Sequence, residues 1–314
     1  MKTFVRACEI WVPSKYRTEL EFHSGLYGEP GGPLQQFRAA SERMCFGYDE
    51  GLPGRAWAAR APIVLKDLQH SYFKRAAAAQ AAGLTCGIAM PIFAGDYLLS
   101  VVVLYCGGAD EQFGAIELWQ AQASQDLTLI DGYYGNATEF EAASRGTTFK
   151  PGEGLPGQVW HRNMPEVVTE LWYTGRFVRH RDGAPLGLSK GLAIPLHIEP
   201  GHSYVMTFLS ALGSPVARRF EIWDLDAQRE HMSFRAGECD LNHAFPQDYA
   251  NITVDRGAGP IGRVWASGLP EVREDLSGDS SPNGRSARKA GLSSMLALPV
   301  LELGRIRAVV ALYF

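Results

Sequence analysis

Cysteine is scarce in this chain and shows no pattern. Five are present, Cys8, Cys45, Cys86, Cys106 and Cys239. Their number is odd and their positions do not recur, which argues against a disulfide framework and for a reducing compartment. Long apolar runs are missing as well. The longest, around Leu98 to Tyr105, is far too short to span a bilayer. Met1 to Arg6 lacks the apolar core of a signal peptide. Nor is there an excess of one charge. Lys and Arg number 30 against 34 Asp and Glu, and no basic run occurs, so neither nucleic acid nor a membrane is expected as a partner. Catalytic signatures are scarce too: neither a His-Glu-x-x-His motif nor a P-loop occurs. The chain is expected not to be an enzyme, although a site built from distant residues stays open. No motif specifies a cofactor. A cytoplasmic globular protein is the expectation.

What the chain does contain, it contains three times. Glu9-Ile10-Trp11, Glu117-Leu118-Trp119 and Glu221-Ile222-Trp223 recur with a period of about 100 residues. About 40 residues after each stands a second block. It reads Gly51-Leu52-Pro53-Gly54 with Trp57, Gly154-Leu155-Pro156-Gly157 with Trp160, and Gly259-Pro260-Ile261-Gly262 with Trp265. The register continues through Pro62, Pro165 and Pro270, then Asp67-Leu68, Glu170-Leu171 and Asp275-Leu276. It closes on Gly83-Leu84, Gly187-Leu188 and Gly291-Leu292, each glycine followed eight residues later by Pro91, Pro195 or Pro299. A period of this length is the size of a small domain, so three related domains are expected, at 1–108, 109–213 and 214–314.

Each copy has a readable local structure. The Glu-aliphatic-Trp segment alternates and begins a strand. A second strand is expected to lead to a glycine turn at Gly25 to Gly28, with Gly132 to Gly135 and Gly237 as counterparts. The glycine-proline block opens a short helix running through its tryptophan. Arg75 to Ala82 and Arg285 to Ala290 read as a further helix. An apolar hairpin ends each copy, turning at Ala94-Gly95-Asp96, Glu199 to His202 and Glu302 to Arg305. The fold class is therefore α+β, each copy a central antiparallel sheet of five or six strands flanked by short helices.

The pattern Gly-Leu-Pro-Gly-x-x-Trp, Pro-x-Val, Asp-Leu, Gly-Leu and apolar-Pro-apolar, followed by a strongly apolar last strand, resembles the GAF domain, three times in tandem. Copy three departs from it by reversing the order in Gly259-Pro260-Ile261-Gly262. The resemblance implies a sheet with helices on one face and, on the other, a cup that holds small ligands in many members. Within the superfamily, Gly262-Arg263-Val264-Trp265 and Ala297-Leu298-Pro299-Val300 are similar to the nitrate-sensing GAF-like regions of plant NIN-like proteins and bacterial nitrate receptors. The Asn-Lys-x-Phe-Asp-Glu signature of cyclic-nucleotide GAF domains, a bilin-attachment cysteine and the cysteine trio of GAF-type methionine sulfoxide reductases have no counterpart.

Specificity is expected in the variable stretch between Asp-Leu and Gly-Leu, where a fixed frame surrounds changing content. Copy one offers His70 and Arg75, copy two Trp172, Tyr173, Arg176, Arg179 and His180, copy three Arg285 and Arg288. Arginine suits planar anions, so these residues are candidate ligand contacts, set against the reading of a solvated helix face. Copy two is favoured for a charged ligand. Trp57, Trp160 and Trp265 are candidates for the roof of a cup, set against a role as anchors of the helix. His197 and His202, with Glu199, fall short of a metal site, and no metal is expected. Cys86, aligned with Lys190 and Ser294, reads as a buried thiol rather than a reactive one.

No kinase, cyclase or DNA-binding output follows Phe314, so the array is expected to act by binding; an excised fragment would read the same. The leading expectation is a non-catalytic small-molecule sensor or regulator, taking a small ligand in one or more cups, either a nitrate-like anion or another metabolite. It would signal to a protein partner in trans, with a homodimer left open. The alternative is an interaction scaffold with vestigial cups.

Overall fold

The computed structural model describes residues 3–28, 31–107, 113–122, 125–171, 177–199, 202–211, 213–226, 228, 230–249 and 251–314. They form three antiparallel sheets of six strands each. The first unit runs β1 (Val5–Pro13), β2 (Glu19–Leu26), α1 (Leu34–Ser41), β3 (Cys45–Gly47), α2 (Gly51–Ala59), β4 (Ile63–Leu65), α3 (Ala76–Ala81), β5 (Cys86–Ala94) and β6 (Tyr97–Cys106). The second runs β7 (Phe113–Gln122), β8 (Leu127–Gly135), α4 (Thr138–Arg145), β9 (Thr148–Phe149), α5 (Gly154–Arg162), β10 (Glu166–Thr169), α6 (His180–Gly183), β11 (Leu188–Glu199) and β12 (His202–Ala211). The third runs β13 (Arg219–Leu225), β14 (Met232–Cys239), α7 (Phe245–Tyr249), β15 (Thr253–Val254), α8 (Gly259–Ser267), β16 (Glu271–Arg273), α9 (Pro282–Lys289), β17 (Met295–Glu302) and β18 (Arg305–Tyr313). Strand order is the same in all three: third, second, first, sixth, fifth, fourth.

Two glycine positions explain why the repeated words stay fixed. The first glycine of each expected turn lies instead inside the second strand, opposite the glutamate: Gly25 pairs with Glu9, Gly132 with Glu117 and Gly237 with Glu221, while Gly28 and Gly135 at the strand ends keep the positive φ of a turn. A Cβ on Gly25 would meet the Tyr27 ring at 2.6 Å and the Cys8 carbonyl oxygen at 2.8 Å, so the glycine clears space rather than turning the chain. The last glycine of the helical block serves a close approach. A Cβ on Gly54, Gly157 or Gly262 would lie 2.1, 2.2 or 2.2 Å from the carbonyl oxygen of Gly47, Lys150 or Asp255. α9 starts earlier than expected, because the Ser281 hydroxyl accepts the Gly284 amide and Pro282 suits a first turn.

Both faces of every sheet are covered. Residues in register with the glutamate face the helices of their own unit. The alternate residues face the other two sheets. Cys8, Ile10, Ile88, Met90, Val102 and Leu104 meet Ile116, Leu118, Leu192, Ile194, Met206 and Phe208, and both sets meet Phe220, Ile222, Leu296, Leu298, Val310 and Leu312 in one continuous core. The seams close cyclically. β4 packs on β8, β10 on β14, and β16 on β2. Each seam carries an ion pair: Lys66 with Asp131 at 2.8 Å, Lys190 with Asp240 at 2.6 Å, and Arg38 with Glu274 at 2.6 Å. The three units thus form a pseudo-threefold ring around a shared apolar centre. Among the described residues no helix is long and apolar enough to cross a membrane.

Candidate functional site

Under the helices of each unit the glutamate of the repeated Glu-x-Trp motif is fully buried. A buried carboxylate must be paired and hydrogen-bonded to persist. In unit 1, Glu9 accepts from Trp11 Nε1 (2.9 Å), the Tyr27 hydroxyl (2.9 Å), Ser41 Oγ (2.6 Å), Arg75 Nη1 (2.6 Å) and the Tyr105 hydroxyl (2.9 Å). Unit 2 repeats the arrangement. Glu117 accepts from Trp119, Tyr134, Ser144 and Thr207, and Arg179 binds both its oxygens. The guanidinium carbons lie over aromatic rings, Arg75 at 5.7 Å from Phe46 and 5.1 Å from Phe73, Arg179 at 5.7 Å from Phe149 and 5.5 Å from Phe177. In these two units an ion pair and its aromatic collar fill the space beneath the helices.

Unit 3 is rebuilt. Eight residues before the Gly-Leu pair, where units 1 and 2 have Arg75 and Arg179, stands Asn283, which donates Nδ2 to Glu221 at 3.2 Å. The cation comes instead from Arg219, two residues before the glutamate, at 3.4 Å. Ala7 and Ala115 hold that position elsewhere. Val254 stands where Phe46 and Phe149 stand, and Ser281 where Phe73 and Phe177 stand. Two rings and a guanidinium are therefore missing from one place. Val254, Ser281 and Asn283 line a cavity of about 480 Å³ there, together with Asp255, the start of α8, Arg273 and Gly278 to Ser280.

The mouth differs in the same direction. In unit 1 Lys74 and Glu50 form an ion pair across it at 3.1 Å. The corresponding residues of unit 3 are Pro282 and Ala258. Ala258 precedes α8 without a side-chain cap, where units 1 and 2 place Glu50 and Glu153. No carboxylate of that residue then offsets the positive end of the helix.

The electrostatics follow the chemistry. Burial alone would push the Glu9 and Glu117 carboxyls up, but Arg75 and Arg179 with the surrounding hydroxyls outweigh it and hold both below the ordinary carboxylate range. For Glu221 burial wins over the more distant Arg219, and the carboxyl is pushed up. The two cases have opposite linkage. A depressed folded-state pKa gives stability that is present above the unfolded value and lost as pH falls through the folded one. A raised pKa gives a contribution present below the unfolded value and lost as pH rises through the folded one. Melting temperatures recorded from about pH 7 down to about pH 3 should therefore show less acid destabilisation in Glu117→Gln than in the parent, and more in Glu221→Gln. Parallel curves for all three proteins would contradict the assignment.

The residues marked in the sequence are scattered by the fold. Arg75 and Arg179 are buried, 4% exposed each, and already face carboxylates. Arg288 donates to the carbonyls of Leu276 and Asp279, and Arg285 to that of Ser280. His70 is exposed and contacts Asp67 at 3.0 Å; His180, also exposed, begins α6. Trp57 is half-buried edge-on to Tyr48 at 5.2 Å, and Trp160 packs half-buried on the core of unit 2. Trp265 lines a second cavity of about 560 Å³ between units 1 and 3, with Leu99, Leu301 and Ile306. Trp172, Tyr173, Arg176, the His197 side chain and the turn residues Pro200 and Gly201 lie outside the described residues. A cavity of about 360 Å³ in unit 2 lies beside α4 and α6, lined by Asn136, Phe140, Arg181 and Asp182. Among the described residues no group of three or more His, Cys, Asp or Glu could hold a metal.

No family model matches the chain, and no curated protein matches it. Solved structures do. The A. aeolicus nlh2 GAF domain in an inactive state is 18% identical, with a TM-score of 0.26 over 34% of this chain and 60% of its own. NreA of Staphylococcus aureus, mutated in its nitrate binding site, is 14% identical, with a TM-score of 0.26 over 31% of this chain and 72% of its own. Free methionine-R-sulfoxide reductase of Neisseria meningitidis, in complex with its substrate, is 14% identical, with a TM-score of 0.25 over 34% of this chain and 57% of its own.

The three units share one α+β topology, similar to that of the GAF domains matched.

The likeness is one of fold. Each match covers about a third of the chain, the extent of one GAF-like unit. Of the three GAF-like units, the third differs most at the residues beneath its helices.

Proposed function

We propose that the protein is a non-catalytic small-molecule-binding regulator whose ligand site is the cavity of the third GAF-like unit, and that it reports occupancy to a protein partner in trans in the cytoplasm. The observation that carries this reading is the replacement of two phenylalanines and an arginine by Val254, Ser281 and Asn283, with a cavity of about 480 Å³ in their place. A volume of this order suits a small molecule. NreA, described as carrying a nitrate binding site, lends support to a ligand-binding role on this fold. The filled interiors of units 1 and 2 favour the scaffold reading for those two units only. No enzyme role is proposed.

Restoring the missing rings tests the assignment. Val254→Phe with Ser281→Phe should abolish the retention of a small molecule seen by native mass spectrometry after gentle purification. The melting temperature of the unliganded protein should stay within a few degrees, since the same rings are accommodated in units 1 and 2. Retention of the same molecule by the filled variant would move the site elsewhere.

A further inference from the structure

We propose that the ligand of the third unit is a small zwitterion, an amino-acid-like molecule whose ammonium group faces Asn283 and Asp279 and whose carboxylate faces the start of α8 and Arg273. The proposal rests on the third-unit cavity being the ligand site.

One wall presents acceptors that want donors. Asn283 is 3% exposed and lines the cavity. Its Nδ2 donates at 3.2 Å to Glu221 Oε2, the same oxygen that accepts from Trp223 Nε1 and the Tyr313 hydroxyl. Its Oδ1 is thereby turned away from Glu221, and it makes no hydrogen bond among the described residues. Asp279 lines the same cavity and is 8% exposed. Its Oδ1 takes the Ser281 amide at 2.8 Å, while Oδ2 has no partner. A buried acceptor without a donor, as Asp279 Oδ2 is, is rare in native folds, and an ammonium group brings three N–H donors.

The other side presents positive potential. α8 begins at Gly259 without the acidic residue that precedes α2 and α5. Arg273 lines the cavity and makes no ion pair among the described residues. The other charges on the wall are committed, Arg263 to Glu271 and Asp255 to His231. Asp279 and Arg273 thus form no close ion pair among the described residues, Asp279 interacting with Arg263 and Arg273 with Asp275 only at longer range, and a ligand carrying both charges satisfies both. A bare inorganic anion would leave the acceptor wall unpaired, and a cavity of about 480 Å³ is far larger than nitrate requires. The surplus volume accommodates a side chain.

The test uses the full chain and isothermal titration with the individual L-amino acids, each matched with the carboxylic acid lacking the amine and the amine lacking the carboxylate. At least one amino acid should bind, with both truncated probes weaker by about 10-fold or more. Asp279→Asn should weaken the amino acid by about 10-fold and leave the deaminated acid unchanged. Arg273→Gln, on a half-exposed edge strand, should do the reverse and weaken the deaminated acid while sparing the amine. Asp279 packs against Gly284 at the start of α9, so the Arg273 variant keeps the test valid if the other fails to fold. Equal binding of the amino acid and its deaminated acid overturns the zwitterion, as does binding by none of the probes. If a different retained molecule is lost on Val254→Phe with Ser281→Phe, the class falls and the site stands. If retention survives that change, the site itself falls.

Discussion

Replacing Glu117 with alanine is expected to lower the stability of the protein by about 3–5 kcal/mol, the range measured when one partner of a buried pair is removed. The carboxylate is fully buried and accepts from Trp119, Tyr134, Ser144, Thr207 and Arg179. Its loss strands a guanidinium that is 4% exposed, together with several hydrogen-bond donors. Urea unfolding should show a lower midpoint at nearly unchanged slope. Glu117→Met combined with Arg179→Met should cost less than Glu117→Ala alone, since the two charges leave together and the methionines restore volume. In unit 3 the arithmetic differs. Glu221 is pushed toward its neutral form and sits 3.4 Å from Arg219, so Glu221→Gln should stay within about 1 kcal/mol of the parent. The account fails if Glu117→Ala is nearly silent, or if Glu221→Gln is as damaging as it.

The contrast between these substitutions marks how far the sequence could be read. Alternation, the glycine-proline block and the recurring spacing carried the strands, the short helices and the threefold repeat, because those features follow from local periodicity and local backbone demands. The role of the glutamate was not legible in that way. Glu9 and Arg75 lie 66 residues apart, and only the fold sets them 2.6 Å from each other. Residue type alone makes Arg75 and Arg179 candidate ligand contacts, whereas the fold pairs both with buried carboxylates. The third-unit cavity did leave a trace. In register, Phe46, Phe149 and Val254 each stand five residues before the first glycine of the block, and Phe73, Phe177 and Ser281 ten before the glycine of the Gly-Leu pair. What those substitutions mean depends on the two rings flanking one guanidinium, which spacing does not reveal. Cation count favoured the second copy for the same reason, since it weighed charge without its partner.

The closed ring has the second large consequence. Residues 1–107 expressed alone are expected not to give a stable monomer. Cys8, Ile10, Ile88, Met90, Val102 and Leu104, buried in the full chain against the other two sheets, would all face water. At about 1.5–3 kcal/mol for each large apolar side chain, their exposure alone rivals the about 5–15 kcal/mol by which whole domains are stable. Sedimentation of the fragment should show aggregation, or a homotrimer that rebuilds the ring from three identical copies, since β4 of one copy would again find β2 of the next. The full chain should melt in one transition by both far- and near-ultraviolet circular dichroism, because no unit can leave without opening the common core. A soluble monomeric fragment with its own cooperative melt would refute the shared core as the organising element. The same geometry constrains signalling. Units held edge to edge and back to back do not swing against one another as a ligand enters. On the function proposed above, occupancy of the third unit would therefore be read at its own surface, around the segment from Gly278 to Asn283 and the start of α8, rather than by movement of one unit against another.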